Sequence, residues 1–238
     1  MNLLSELEKD IINTLITTWD QRNGYVVPDN ESVKLLNGGV NLSATMLYSA
    51  IAHSTDLISK YTKTTAAEIY KLFLSTTSRI IKFWDGYIRS FDGDRVMAVF
   101  IGENKSDNAI AAALHITRCV RGYIIPQFKK MYSHHSDFTL QHCTGIDTSD
   151  IFVIRGGVRE DNDLVWIGRA ANAAAKLSEL RNGYTTIISD ATWSDMDVSS
   201  MYVQENGKKH FIWTSEDWDE IVGIKEIYKS DWERLLLE

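Results

Sequence analysis

Apolar and polar residues alternate along this chain with two periods, one helical and one extended. Leu7, Ile11, Leu15 and Trp19 recur every four residues and predict an amphipathic helix over 7–19. Residues 21–39 are rich in Asn, Gly and Asp with one Pro, and predict a loop. The apolar run ATMLYS, 44–49, predicts a buried strand. Residues 54–74 predict a long helix with Ser54 or Thr55 as its N-cap. Two apolar arms, 84–91 and 95–101, flank Asp92, Gly93 and Asp94, and Asp-Gly between such arms signals a hairpin. A second long helix, 106–132, turns Ala109, Ala112, Ala113, Ile116 and Val120 inward. Residues 138–146 and 150–155 predict a strand pair joined at DTSD. A short strand at 164–167 precedes an Ala-rich helix at 168–180. Beyond Thr185 short strands lead to a final helix at 230–237.

The order β-α-β-β-α-β predicts an α+β fold of the ferredoxin-like type. Residues 1–40 form a helical extension and 41–238 one compact domain. In this topology the end of the first strand lies beside the hairpin tip, so residues from both segments can meet. That gives a hairpin tip with two carboxylates a reason to exist.

Composition narrows the partners. A formal charge of −7 argues against a nucleic-acid binder, which needs a basic face, but leaves room for a single nucleotide. Cys119 and Cys143 suggest neither a disulfide framework nor a thiolate metal site, and a reducing cytoplasm fits. The N-terminal residues lack a basic segment followed by an apolar one, so no signal peptide is expected, and no run approaches membrane-spanning length.

Three segments carry candidate chemistry. Asp94 at the hairpin tip could hold a divalent metal. Ile51, Ala52, His53, Ser54 and Thr55 lead from a strand into a helix, where N–H groups favour a phosphate. Asn172 and Lys176, four apart, share one helix face and suit a ribose or a charged transition state. Each alone has a purely structural reading: a turn cap, a capped helix start, a solvated helix face.

Together GDRVMAVF (93–100), GIDTS (145–149) and IGRAANAAAKL (167–177) resemble the signature of the class III nucleotidyl cyclases, with LYSAIAHST (47–55) aligning with the motif that opens their catalytic domain. TWDQRNGYVVP, LNGGVNLSATMLYS and DLVWIGRAANAAAKLSELR look like the bacterial Pycsar-type pyrimidine cyclases, which make cyclic UMP or cyclic CMP as an antiphage signal. The resemblance implies that Asp94 is the second metal aspartate and that Asn172 orients the ribose. Lys176 sits where most members have an arginine on the triphosphate, and lysine keeps the charge without the fork. Residues 51–55 would wrap the phosphates, and Ile51 would join Asp94 and position 50 at the site of two Mn²⁺ or Mg²⁺ ions. The two halves of each site would come from opposite subunits of a homodimer, and a separate cyclic-nucleotide-activated effector would act downstream.

Two positions depart from the family. The purine-reading lysine and aspartate fall at Ser90 and Val165, which argues against ATP and leaves UTP or CTP; Tyr48, Arg89, Asp163 or Trp166 could shape the base pocket. The first metal aspartate falls at Ala50. Either the chain carries an engineered aspartate-to-alanine change, which the otherwise intact motifs favour, or another carboxylate such as Asp56 or Asp92 serves, or the chain binds nucleotide without turnover. The rival class is thus a non-catalytic nucleotide-binding module. A polymerase palm shares the topology, but this chain lacks the charge and length for duplex binding.

Overall fold

A computed structural model describes residues 2–180 and 182–235. Helix α1 (Leu3–Ile16) is capped by Asn2, whose side chain accepts from the Leu4 N–H at 3.0 Å. Strands β1 (Asp20–Asn23) and β2 (Gly38–Ile51) are followed by helices α2 (Ser54–Lys60) and α3 (Lys63–Phe83). The hairpin β3 (Tyr87–Asp92) and β4 (Arg95–Phe100) comes next. Helix α4 (Lys105–Cys119) passes through a π turn (Val120–Ile124) into α5 (Ile125–Met131). The long strand β5 (His142–Gly157), β6 (Asn162–Ile167) and α6 (Arg169–Leu177) complete the site-bearing part. The remainder is β7 (Thr186–Ser189), α7 (Asp190–Asp195), the hairpin β8 (Tyr202–Glu205) and β9 (Lys208–Phe211), then β10 (Thr214–Asp217) and β11 (Glu226–Ser230).

The main sheet runs β10-β11-β7-β5-β2-β4-β3. The four strands at its β3 end, β5-β2-β4-β3, pair antiparallel and reproduce the ferredoxin-like order. Because side chains alternate along a strand, β2 and β4 build two cores at once. Leu47, Ile51, Val96, Ala98 and Phe100 pack with Ile69, Phe73, Ile110 and Leu114 of α3 and α4. Met46, Met97 and Val99 pack on the opposite face with Ile151 and Val153 of β5 and with Ala170, Ala171 and Ala174 of α6.

Several expectations are corrected. The helix expected at 54–74 breaks at Tyr61, because Thr62 starts a new one by accepting from the Thr65 N–H at 3.2 Å. The cap position of α2 is His53, in the left-handed region at φ +56° and without a side-chain cap bond, so Ser54 and Thr55 are helical rather than capping. The helix at 106–132 contains a π turn just before Pro126, whose ring and missing N–H a regular helix interior would not accommodate. DTSD is no turn: β5 runs straight through it, since its polar side chains find partners inside the fold. Asp147 binds Arg169, Thr148 meets Thr45 at 2.8 Å, and Ser149 Oγ accepts from the Ala170 N–H at 3.0 Å.

At the N-terminal side, 20–23 is a strand that pairs parallel with the start of β2, and β2 begins at Gly38, so residue 40 lies inside a strand. The helix expected at 230–237 is not formed over 231–235. There β11 extends to Ser230 opposite Thr186, Arg121 binds Asp231, and Trp232 stacks on His210; residues 236 and 237 lie outside the described residues. Helix α1 is amphipathic as expected, yet none of its residues is buried: Leu7, Ile11 and Leu15 all face solvent.

Candidate active site

The β3–β4 connection is a two-residue turn between the Asp92–Arg95 pair, with Gly93 at φ +58° in its first central place. That sign favours glycine and matches the twist of the flanking strands. The turn sets Asp94 beside the end of β2, where the Ile51 N–H donates to the Asp94 carbonyl at 3.3 Å. Ala50 lies directly opposite Arg95 on β4 and Cys143 on β5, and is 1% exposed. The hairpin tip and the end of β2 therefore form one locus, carrying Ala50, Ile51 and Asp94.

Arg95 dominates the charge there. Its Nε lies 3.9 Å from Asp94 Oδ1, and its Nη1 lies 2.6 Å from Glu179 Oε1, just past α6. One step along the ladder, Ser90, Met97 and Tyr48 form a row on the same face. Ser90 Oγ donates to Met97 Sδ at 3.6 Å. Burial pushes the Tyr48 phenol above its ordinary pKa, with Arg95 pulling it down and Asp92 pushing it up, so all three share one neighbourhood. Val165 is not part of this row. Leu164 and Trp166 pack against the core that holds Met97, so Val165 between them faces away.

The expected phosphate loop is a tight corner. Ala52 N–H donates to the Gln141 carbonyl at 2.8 Å, and Asp56 N–H to the His53 carbonyl at 3.0 Å. Ser54 is half-buried, while His53, Thr55 and Asp56 are exposed.

Asn172 and Lys176 project together from the solvent face of α6. The opposite face of that helix is pinned to the sheet. Gly145 allows this close approach: a Cβ there would lie 2.2 Å from the Ala174 carbonyl oxygen and 2.5 Å from the Ser178 nitrogen. The helix start is fixed by Arg169, whose Nε and Nη2 reach the buried Asp147 at 3.0 and 3.1 Å. Among the described residues Lys176 Nζ reaches only the Glu220 carbonyl, at 3.5 Å. Neither Asn172 nor Lys176 makes a hydrogen bond or ion pair with Asp94 among the described residues.

The donor set does not fit a two-ion centre. Among the described residues no group of three His, Cys, Asp or Glu side chains could hold a metal. Asp94 supplies one carboxylate, Ala50 none, and Ile51 only a backbone carbonyl, while the Arg95 guanidinium stands beside them. Bridging two ions takes further oxygen ligands. Sequence reasoning missed Arg95 and Glu179, although the register of LYSAI against DRVMAVF would have set Arg95 opposite Ala50.

No protein-family profile matches the chain. The fold is that of a nucleotidyl cyclase catalytic domain: the adenylyl cyclase CyaB from P. aeruginosa superposes with a TM-score of 0.65 at 20% identity, covering 84% of this chain and 99% of that one. The sequence goes further. It is 36% identical to a uridylate cyclase of Rhodovulum sp. (strain MB263) over 98% of both chains, and 40% identical to a uridylate cyclase of Burkholderia cepacia, again over 98% of each. The chain belongs to the uridylate cyclase family.

Proposed function

We propose that this chain binds UTP at a site shared by two copies and that its fold serves the cyclisation of UTP to 3′,5′-cyclic UMP and pyrophosphate. In that step the ribose 3′-oxygen attacks the α-phosphorus, the bond to the bridging oxygen breaks, pyrophosphate leaves with its electrons, and the hydroxyl proton is released. The full-length identity to named uridylate cyclases carries this reading and favours UTP over CTP. Residues 52–55 would cradle the phosphates, Tyr48 and Ser90 would border the base, and Asn172 and Lys176 would meet the sugar and triphosphate from the second subunit.

The outward face of α6 and the exposed apolar stripe of α1 support a head-to-tail homodimer. Residues 1–40 would then extend the interface, and residues 41–238 carry the cyclase unit. A cytoplasmic location is part of this proposal; among the described residues no helix is long and apolar enough to cross a membrane. The resemblance to Pycsar-type cyclases supports an antiphage messenger read by a separate effector.

Ala50 favours a second reading, a chain that binds nucleotide without turning it over. Mn²⁺ or Mg²⁺ enters the first reading only with an acid restored at that position. The test is to incubate the chain and Ala50→Asp with Mn²⁺ and each of ATP, GTP, CTP and UTP. Cyclic UMP from Ala50→Asp supports the first reading. Silence from both folded proteins, with UTP still bound, supports the second.

A further inference from the structure

Strand β3 carries an irregularity beside the Ser90–Met97–Tyr48 row. Its pairing with β4 slips between Ile88 and Ser90, so Arg89 has no partner in the ladder. Such a bulge re-aims one side chain while the strand continues. Here the re-aimed group is a guanidinium. Its Nη1 donates to the Pro28 carbonyl at 3.1 Å. Its Nε is buried with no hydrogen-bond partner, and Nη2 engages none of the described residues. Asp29, Asp163 and Tyr87 surround it electrostatically, while burial weighs against its charge. Val27, Tyr48 and Trp166 pack against the same face of the sheet. A half-buried guanidinium with donors unspent is costly unless something accepts from it.

We propose that Arg89 is the residue that tells uracil from cytosine in this site, donating through its free Nη2 edge to the uracil O4 carbonyl. The assignment rests on the reading that the chain takes a pyrimidine nucleoside triphosphate. Guanidinium is a donor only. Uracil offers the O4 acceptor where cytosine offers an amino donor. Set against a cytosine amino group, Arg89 would face donor to donor. The Pro28 carbonyl holds Nη1, and Asp29 and Asp163 favour the charge from nearby, so discrimination lies in an anchored edge rather than in a swinging side chain. Tyr48 and Trp166 supply flat apolar surface on which either base could rest, so they do not discriminate.

The test is calorimetric titration of the whole chain with UTP, CTP and ribose 5-triphosphate, which keeps the sugar and phosphates and lacks the base. The native chain should bind UTP at least ~10-fold more tightly than CTP, the lower end expected of one good base contact. Arg89→Ala should bring that ratio to within about twofold by weakening UTP alone, leaving ribose 5-triphosphate unchanged. Arg89→Lys keeps the charge without the fork and should recover only part of the ratio; it also serves should Arg89→Ala fail to fold. A UTP-to-CTP ratio unchanged in a folded variant overturns the Arg89 assignment alone. A native chain that binds neither UTP nor ribose 5-triphosphate overturns both this assignment and the nucleotide reading beneath it.

Discussion

Ala50 and Arg95 stand directly opposite each other in the β2–β4 ladder. A methyl group thus faces a guanidinium at the point where the cyclase resemblance calls for a carboxylate. Arg95 turns instead to Glu179 and Asp94, tying the end of α6 to the hairpin tip.

Restoring an acid should therefore be structurally cheap. In Ala50→Asp the new carboxylate would be buried, but it would arrive with a cation across the ladder, and opposite charges so placed contribute ~0.2–1 kcal/mol. The melting temperature should stay within a few degrees of the native value, and cyclic UMP production should rise by about 100-fold or more. Product quantification with Mn²⁺ and UTP, alongside thermal denaturation, checks both expectations.

Gly145 is where β5 admits α6. A methyl group there meets backbone atoms of Ala174 and Ser178, which cannot rotate aside. Gly145→Ala should destabilise the chain by roughly 1–3 kcal/mol, as overpacking does. It should also loosen UTP binding, since Asn172 and Lys176 ride on the displaced helix. Urea denaturation and UTP titration read the two effects separately.

Asp147 is fully buried and satisfied by Arg169 and by the Ser189 hydroxyl. Asp147→Ala leaves that arginine facing an empty partner position, and breaking a buried pair in this way costs about 3–5 kcal/mol. Arg169→Met removes the cation instead and strands the carboxylate, so it should cost about as much. The double variant should cost less than the two single costs combined, which equilibrium denaturation of all four proteins would show.

The sequence reached far where local pattern and fold agree. The ββ hairpin was legible from Asp92-Gly93 because glycine at a positive φ is a chemical requirement of the turn. The two-faced strand β2 was legible in part, since its middle is apolar; its outer ends, Gly38 to Ser43, hide among small and polar residues. DTSD misled because the groups that satisfy Asp147, Thr148 and Ser149 come from residues 20 or more positions away. Likewise Arg95 and Glu179 are ordinary charges until the fold places them 2.6 Å apart. The end of the chain, Lys229 to Arg234, has helical composition, but β11 claims Ser230 for the sheet.

Burial of His142 should make the protein acid-sensitive. Desolvation, with Arg121 adding repulsion, lowers its pKa from 6.5 to about 3. In the unfolded chain it takes up a proton below about pH 6.5, whereas the folded chain refuses it until about pH 3. Stability is thus intact above pH 6.5 and falls as the pH drops through that window, by at most ~1.4 kcal/mol per pH unit. His142→Gln should flatten this part of the profile, so the native chain loses about 2 kcal/mol more than the variant between pH 7 and pH 5. Urea midpoints at the two pH values decide it.

The outward placement of Asn172 and Lys176 leads to a mixing experiment. If a site takes its hairpin from one copy and its α6 from the other, a chain deficient in one half can be completed by a chain deficient in the other. The native chain has an intact α6 and lacks the acid at position 50. A variant carrying Ala50→Asp and Lys176→Ala has the acid and lacks the cation. Each alone should be nearly silent. Mixed in equal amounts and allowed to exchange, half the dimers are hybrid, and each hybrid assembles one complete site of two. Activity should reach roughly a quarter of that of Ala50→Asp alone, the fraction that random pairing across a two-fold axis allows. Cyclic UMP at that level places Asn172 and Lys176 across the interface from the acid. A mixture as silent as its components, with exchange confirmed by a tagged pull-down, would confine the whole site to a single chain and remove the homodimer from the proposed mechanism.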